Sequence, residues 1–346
     1  MRIGILTFQF SNNYGGLLQC YALQQNLLKK GHKVEVINYV PTPLTSKELW
    51  KRRIRIFFSN PRLNFCSIMP SIIKGKHRTD IVINNDGFDK FRKEKLSLSE
   101  KLTTQTIGEY CNKHYDCVVV GSDQVWTDLY DTSNVYFLGW EPEFKGIRKS
   151  YAACSAHNSL NDKKRREKLR QLLNKFEEIT VRDVTTAGLV HSIIGIHPEI
   201  VPDPTELCSF NEFIHNNTKV EPYIFMYVLG SEIKGGHIDA IRRIREKVGI
   251  IPVHAVMISN RTQGVVEVAD TITTGISPED FINRIHNATV VYTDSFHATL
   301  ISKKFNKPMV AYYNKGVRQS RLIDLKQRKG INNIVRRSEE IDTLIL

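Results

Sequence analysis

Short apolar runs that alternate with helical segments constrain the fold of this chain more than any other feature. The first run, RIGILTF, is followed by the helical stripe LLQCYALQQNLLKKG and by a second run, HKVEVINYV. The same order returns near the other end, in VVYTDSFHATLISKKFNKPMVAYY. Apolar runs of about four to eight residues between turn signals are typical of strands buried on both faces of a parallel sheet. The pattern therefore predicts an α/β protein.

The length predicts two domains, because 346 residues are more than one ordinary hydrophobic core holds. We place an N-terminal Rossmann-like domain at 1–206, with a basic insertion at about 42–110. A second Rossmann-like domain spans 222–325, after a polar stretch. Residues 326–346 form a C-terminal tail, and one option is that this tail packs back on the N-terminal domain. Ligands of such domains bind where strand ends and helix starts face each other across a cleft.

The charge balance indicates an anionic partner, since 49 Lys and Arg against 36 Asp and Glu give a net charge of +13. Nucleic acid, an anionic lipid surface and small phosphorylated or carboxylated molecules all fit that bias. No helix-turn-helix, zinc-finger or RNP motif is present, so we do not expect nucleic acid.

The six cysteines form no C-x-x-C pair, and none has a His at metal-ligand spacing, so we expect neither a metal nor a disulfide. The first strand follows the N-terminus directly and no signal peptide is visible, which favours the cytoplasm.

The loop after the first strand, QFSNNYGG, is a candidate ligand site. Asn13, Tyr14 and Gly15 precede a helix, whose first N–H groups can bind an anion or a sugar hydroxyl. Gln19 follows one helical turn later. An ordinary tight strand–helix turn explains the same residues, and both interpretations stay open.

Two further loops carry polar residues after predicted strands. In GSDQVW, Asp123 and Gln124 could bind hydroxyls, or Ser122 or Asp123 could simply cap a helix. Arg182 follows the strand EEITV, where a guanidinium can bind a carboxylate or phosphate through two parallel hydrogen bonds. A pair with its neighbour Asp183 is the alternative.

The turn TDSFH near the C-terminus raises the same choice between a helix cap and a reaction site. A cap explains Asp294 or Ser295 but not His297, because His has no preference for helix starts. An imidazole can donate or accept a proton near neutral pH. His297 is therefore a candidate acid–base group if other polar loops converge on it.

The ordered set of motifs resembles the polysaccharide pyruvyl transferases. In sequence order the motifs are NYGGLLQCYAL, VVVGSDQVW, SYAACSA, VRD, VPDPTEL, and ATVVYTDSFHATLISKKFNKPMVAYY followed by SRLIDL. They cover about residues 1–325, apart from the region near 42–110. The resemblance implies a GT-B-like fold of two Rossmann-like domains facing a cleft that holds the active site.

The resemblance also implies the reaction. Phosphoenolpyruvate would be the donor, and a sugar of a surface polysaccharide (capsule or exopolysaccharide) repeat unit would be the acceptor, in bacteria often undecaprenyl-linked. The product would be a cyclic pyruvate ketal that bridges two hydroxyls. Such chemistry requires cations for the donor and general acid–base groups, but no metal and no cofactor.

The family pattern places its functional Arg and His at Arg182 and His297. We expect Arg182 to hold the donor, and His297 to act as general acid or to bind the leaving phosphate. Ser295 lies beside His297, and Arg318 and Arg321 are candidates for a second anion clamp. Some members carry Arg-Leu-His where this chain has Ser-Phe-His, so one family Arg is replaced.

Asp123 completes the catalytic candidates, and the remaining polar loop residues are candidates for acceptor binding. The acceptor-side set consists of Asn13, Tyr14, Gly15, Gln19 and Gln124.

Two other functions stay open: a GT-B glycosyltransferase that uses a nucleotide sugar, and a non-catalytic glycan-binding assembly protein.

The basic, apolar segment 47–80 predicts contact with the inner face of an anionic membrane. It holds nine Lys or Arg against two acids. Cations next to apolar side chains suit a peripheral position on lipid. A solvated helical insertion or an oligomer contact explains the same composition.

Replacing Arg52, Arg53 and Arg55 by Ser should weaken binding to anionic vesicles by about 3 kcal/mol, since each surface cation contributes about 1 kcal/mol. Co-sedimentation with vesicles of graded anionic lipid content measures this. A matched triple replacement by Ser in the charged helix DKKRREKLRQLLNKF, outside the segment, is the control. Sedimentation that ignores lipid charge contradicts the membrane interpretation.

Overall fold

The computed structural model describes residues 1–40, 83–215, 220–230, 232–259, 264–314 and 317–346, the side chains of 317 and 318 excepted. The segment 47–80, on which the membrane prediction depends, lies outside these residues.

Strands alternate with helices along the described chain, as the apolar runs predict. The strands are β1 Arg2–Leu6, β2 Lys33–Val36, β3 Cys117–Val120, β4 Ile147–Ala153, β5 Glu178–Val181, β6 Glu199–Ile200, β7 Ile224–Tyr227, β8 Val253–Met257, β9 Thr271–Thr274, β10 Val290–Thr293, β11 Met309–Tyr312 and β12 Ile334–Val335. The helices are α1 Tyr14–Lys29, α2 Asp86–Lys95, α3 Ile107–His114, α4 Lys163–Leu173, α5 Val184–Ile194, α6 Pro204–Leu207, α7 His237–Val248, α8 Val265–Val268, α9 Pro278–Asn287, α10 Phe296–Lys304 and α11 Val317–Lys329. Short 3₁₀ turns lie at Val135–Phe137, Asn211–Phe213 and Ser338–Thr343.

The strands form two parallel six-stranded sheets. One sheet has the order β2-β1-β3-β4-β5-β6, and the other has the order β12-β11-β10-β7-β8-β9. Every residue of β3, β7, β10 and β11 is buried, as expected for central strands covered on both faces. The predicted α/β class with two Rossmann-like domains is confirmed.

Each sheet contains one point where the strand order reverses. In the first sheet β2 lies on one side of β1 and β3 on the other, and in the second sheet β8 and β10 flank β7 in the same way. Loops that leave neighbouring strands in opposite directions open a crevice at the carboxyl ends of those strands, where α/β proteins bind ligands. These crevices lie beside the loop after β3, which begins with GSDQVW, and the loop after β10, which begins with Asp294.

The described residues form two compact units whose boundaries differ from the predicted ones. Unit 1 comprises Met1–Phe10, 27–40 and Leu98–Val201. Unit 2 comprises Ser11–Asn26, 83–97 and Pro202–Leu346. The predicted N-terminal domain thus loses most of α1 and all of α2 to unit 2, and the C-terminal tail also belongs to unit 2.

Aromatic packing explains why the start of α1 belongs to unit 2. The ring of Tyr14 stacks on Phe281 with 4.3 Å between centroids and also packs against Phe88 and Tyr227. Gly87 in α2 lies so close to the loop after β9 that an added Cβ would meet the carbonyl oxygen of Gly275 at 2.4 Å. Such contacts join segments distant in sequence, so composition alone does not indicate the boundary.

The C-terminal tail is held on α7 by charged groups of unit 2. Arg243 forms an ion pair with Asp342, and the ammonium group of Lys247 donates to the backbone oxygens of Asp342 and Leu344, each at 2.9 Å. Ile341 is fully buried beneath them. The last residues therefore complete the core of unit 2.

Asp294 connects the two loops that meet at the reversal point of the second sheet. Its Oδ1 accepts a hydrogen bond of 2.7 Å from the backbone N–H of Leu229, in the loop after β7. The side chain is buried, with 7% of Asp294 exposed. A buried donor that loses its acceptor costs about 1–3 kcal/mol.

Asp294→Ala should therefore lower the free energy of unfolding by about 1–3 kcal/mol, because it leaves the Leu229 N–H without this acceptor. Asp294→Asn retains a carbonyl oxygen at the same position and should lose much less. Urea unfolding of the three proteins measures the difference. Equal losses in both variants would show that the charge of Asp294, not its acceptor, holds the loops.

Candidate functional site

Unit 1 places Arg182 directly after β5, at the carboxyl end of its sheet. Only 2% of Arg182 is exposed, and its Nη1 lies 3.2 Å from Oγ of Ser122, in the loop after β3. Its backbone N–H donates to the carbonyl of Ala153 at the end of β4. The backbone of Arg182 is thus held beside the end of β4, and its guanidinium contacts the loop after β3.

The neighbour of Arg182 has a separate structural role. Asp183 caps α5 by accepting from the backbone N–H and hydroxyl of Thr186, at 2.8 and 2.7 Å. Its other oxygen accepts from the thiol of Cys154. These hydrogen bonds of the carboxylate thus belong to a helix cap and a thiol. The alternative of a simple surface pair with Arg182 does not describe its role.

Asp123 occupies a strained position in the loop after β3. Its φ of 77° lies in the left-handed region, which costs a non-glycine residue on the order of 1–3 kcal/mol. Its Oδ1 accepts from the backbone N–H of Gln124 at 2.9 Å, and its backbone bridges to Ala153. Strain of this kind clusters at functional sites. Nε2 of Gln124 is buried without a hydrogen-bond partner among the described residues. The catalytic and acceptor roles of these two residues stay predictions.

In unit 2 the turn after β10 separates the cap from the imidazole. Ser295 is the N-cap of α10, since its Oγ accepts from the backbone N–H of Ala298 at 3.4 Å. The cap explains Ser295, and the hydrogen bond to Leu229 explains Asp294. Neither explains His297, which lies in the first turn of α10 with 6% of its surface exposed.

His297 lies between a carboxylate and a glycine. Its Nε2 is 3.5 Å from Oδ2 of Asp203, whose side chain is fully buried. On the Nδ1 side the ring is so close to Gly15 that an added Cβ would lie 2.0 Å from Nδ1. The first glycine of the NYGG motif is thus required because any side chain would occupy the space of the imidazole.

Asp203 is not among the predicted site residues, although the sequence around it carries a helix-cap signal. Asp203 and Glu206 form a capping box around the four-residue helix α6: the carboxylate of Asp203 accepts from Thr205, and Glu206 accepts from the backbone N–H of Asp203. An Asp followed three residues later by Glu, with Pro at the first helical position, is typical of a helix start. That signal predicts the cap, but not the imidazole on its other side.

The start of α1 holds the remaining candidates of unit 2. Oδ1 of Asn13 accepts from the backbone N–H of Gly16 at 3.2 Å, and Nε2 of Gln19 donates to the Gly16 carbonyl at 2.9 Å. Tyr14 is fully buried in the aromatic cluster, and burial raises the pKa of its hydroxyl. The structure thus brings Gly15 to His297, while the acceptor roles of Asn13, Tyr14 and Gln19 stay predictions.

The two candidate arginines of the second anion clamp lie on α11. The guanidinium of Arg321 lies over the ring of Phe296, 6.0 Å from its centroid, next to His297 in the chain. Arg318 lies in the first turn of the helix, and its side chain is not among those described. Their donor-binding roles also stay predictions.

The described residues were also compared with what metal and membrane sites require. They contain no group of three or more His, Cys, Asp or Glu side chains arranged to hold a metal ion. None of their helices combines the length and apolar character needed to cross a bilayer.

The comparison with known protein families gives one match. Residues 13–316 match the family model for polysaccharide pyruvyl transferase, which covers most of the chain. No curated protein matches the chain by sequence.

Solved structures share the fold. A chain from Listeria monocytogenes assigned as a UDP-N-acetylglucosamine 2-epimerase has a TM-score of 0.51 and 11% identity, covering 99% of this chain and 86% of that one. The UDP-GlcNAc 2-epimerase from Neisseria meningitidis has a TM-score of 0.49 and 10% identity, covering 99% and 89%. At this identity the likeness to the Listeria chain concerns the fold alone, which agrees with the predicted GT-B-like class.

Gly15→Ala should displace the imidazole of His297 and lower the free energy of unfolding by about 1–3 kcal/mol, because the added methyl overlaps the ring. Thermal unfolding and the imidazole signals in NMR spectra measure the two effects. Gly188→Ala in α5 is the matched control, since its Cβ would meet no atom closer than 3.6 Å. Equal behaviour of both variants contradicts the close packing of Gly15 on His297.

Proposed function

The chain belongs to the polysaccharide pyruvyl transferase family, and from this membership we propose that it transfers the pyruvate group of phosphoenolpyruvate onto two hydroxyls of a saccharide. The product is a cyclic ketal, and inorganic phosphate is released. The observation that supports the residue assignment is the position of His297, buried between Asp203 and Gly15 at the reversal point of the second sheet.

The reaction needs two proton transfers. The first sugar hydroxyl bonds to the central carbon of the donor and loses its proton, while the methylene carbon gains a proton and becomes a methyl group. The bond from that carbon to the phosphate oxygen then breaks, and phosphate leaves with the electron pair. The second hydroxyl bonds to the same carbon, and its proton passes to phosphate or to a base. General acid–base groups accelerate such transfers.

Arg182 is assigned to the donor, which carries a carboxylate and a phosphate. A guanidinium matches either group through two parallel hydrogen bonds, and it stays charged at any physiological pH. The contact with Ser122 holds the guanidinium before the donor arrives. A cation that is already in place need not lose side-chain entropy on binding.

His297 is assigned to the proton transfers or to the leaving phosphate, since an imidazole near neutral pH can do either. Arg321, which lies over the ring of Phe296, is assigned to a second anion contact and would replace the Arg that some family members carry at the position of Ser295. Asp123, in its strained loop, is assigned to a sugar hydroxyl. The acceptor is a saccharide, as the family implies, and a lipid-linked repeat unit of a capsule or exopolysaccharide is the specific form we propose.

Phosphate release from phosphoenolpyruvate, measured with a panel of galactosyl, glucosyl and mannosyl acceptors, tests the proposal. Release should depend on the acceptor, and the product should gain the mass of a pyruvate ketal. His297→Ala should lower kcat by about 10²- to 10⁴-fold, the usual contribution of a general acid–base group. His286→Ala, at the C-terminal end of α9, should leave kcat unchanged.

Arg182→Lys retains the charge but loses the forked geometry. It should raise KM for phosphoenolpyruvate on the order of 10- to 100-fold, because hydrogen bonds to charged groups contribute about 1.5–3 kcal/mol. Arg170→Lys on the exposed face of α4 is the control. Absence of donor binding in calorimetry, together with binding of a nucleoside diphosphate, favours a nucleotide-sugar glycosyltransferase instead.

A further inference from the structure

The two oxygens of Asp203 serve different partners. Oδ1 accepts from the backbone N–H of Thr205 at 3.0 Å and from its hydroxyl at 2.7 Å. Oδ2 lies 3.5 Å from Nε2 of His297. Only 1% of Asp203 is exposed, so the carboxylate has little access to water. One buried group thus caps a helix with one oxygen and faces the imidazole with the other.

The surroundings prevent the carboxylate from turning. The backbone N–H of Asp203 donates to Oε1 of Glu206 at 3.1 Å, and Oε2 of Glu206 forms an ion pair with Lys329 on α11. Pro204 fixes its own φ in the first position of α6. Because the N–H of Thr205 belongs to the backbone and cannot rotate away, the oxygen that caps α6 must remain an acceptor.

We propose that Asp203 is a positioning residue that sets the orientation and the tautomer of His297. An ionised carboxylate only accepts hydrogen bonds, so Oδ2 favours the imidazole form that carries its proton on Nε2. Nδ1 then keeps its lone pair and is the ring nitrogen that exchanges the proton in the proposed reaction. The separation of 3.5 Å suits a site without substrate, since catalytic hydrogen bonds often tighten only in the substrate complex.

This inference rests on the proposed function only for the origin of the transferred proton. The tautomer itself is a property of the free protein, and it can be measured without any substrate. A failure of the proposed reaction and a failure of this inference therefore give different results.

Asp203→Asn tests the inference because the cap determines how the amide is oriented. The backbone N–H of Thr205 requires the amide oxygen at the Oδ1 position, which places the NH₂ group opposite His297. A donor at that place forces Nε2 to accept and moves the imidazole proton to Nδ1. Long-range ¹H–¹⁵N spectra of protein labelled at histidine distinguish the two tautomers directly. We expect protonated Nε2 in the wild type and protonated Nδ1 in Asp203→Asn.

A change in the tautomer of His297 should also change kcat. In catalytic triads, an Asn that imposes the wrong tautomer lowers kcat on the order of 10⁴-fold with little change in geometry. We expect Asp203→Asn to lower kcat by about 10³- to 10⁴-fold, with KM for phosphoenolpyruvate nearly unchanged. A purely structural defect would instead lower the stability of the protein and change both kcat and KM.

Asp203→Ser supplies a second variant that separates the cap from the tautomer. Serine is also a good N-cap, but it presents no group to the imidazole. We expect a mixture of tautomers and a smaller loss of kcat than in Asp203→Asn. Asp162→Asn, which alters the half-buried cap of α4 in unit 1, is the matched control and should leave the His297 signals and kcat unchanged.

Two results overturn the inference. One is a His297 that keeps its proton on Nε2 in Asp203→Asn while the protein remains folded. The other is an equal loss of kcat in Asp203→Asn and Asp203→Ser without a change of tautomer. If the wild type transfers no pyruvate, the proposed function fails, and the spectra alone still decide the role of Asp203.

Discussion

The reversal of strand order between β7 and β10 is the constraint on which the candidate site of unit 2 depends. Two neighbouring strands whose connections leave in opposite directions must open a crevice at their carboxyl ends. Asp294 joins the two loops there, and Ser295 caps the helix that follows. His297 comes one position after the helix begins, so a rigid strand–turn–helix unit sets its place. Rigid elements hold reacting groups more accurately than mobile loops do.

Two residues around His297 each have a structural role in a helix and also contact the imidazole. Asp203 caps α6, Gly15 begins the first turn of α1, and both lie against the same imidazole. A helix cap holds a carboxylate with little freedom, and a glycine lets a ring approach a helix backbone closely. The unit thus gains an oriented imidazole from features that also stabilise its helices. In unit 1, Arg182 is held in a similar way, because its backbone bonds to the end of β4 and its guanidinium contacts Ser122.

Much of the fold was predictable from the sequence, because the spacing of apolar residues and the residue types in turns can be read from short stretches of the chain. The apolar runs predict the strands, and the confirmed parallel sheets follow from their alternation with helices. The domain boundaries were not predictable in the same way. Tyr14 packs on Phe281, and Gly87 packs on the loop at Gly275, and such contacts between distant segments leave no local pattern. Asp203 was visible as a helix cap, but its second partner was not.

Without a structure, the sequence already indicates the α/β class, the family, and the residue types available for proton transfer and anion binding. These follow from the periodicity of apolar residues and from motifs whose members lie close together in the chain. Which of those residues meet is set by tertiary packing. The carboxylate beside His297 lies 94 positions earlier in the chain, and the glycine that makes room for the ring lies near the N-terminus. Their meeting depends on how parallel strands are ordered and on where an aromatic cluster buries α1, and both are properties of long-range packing.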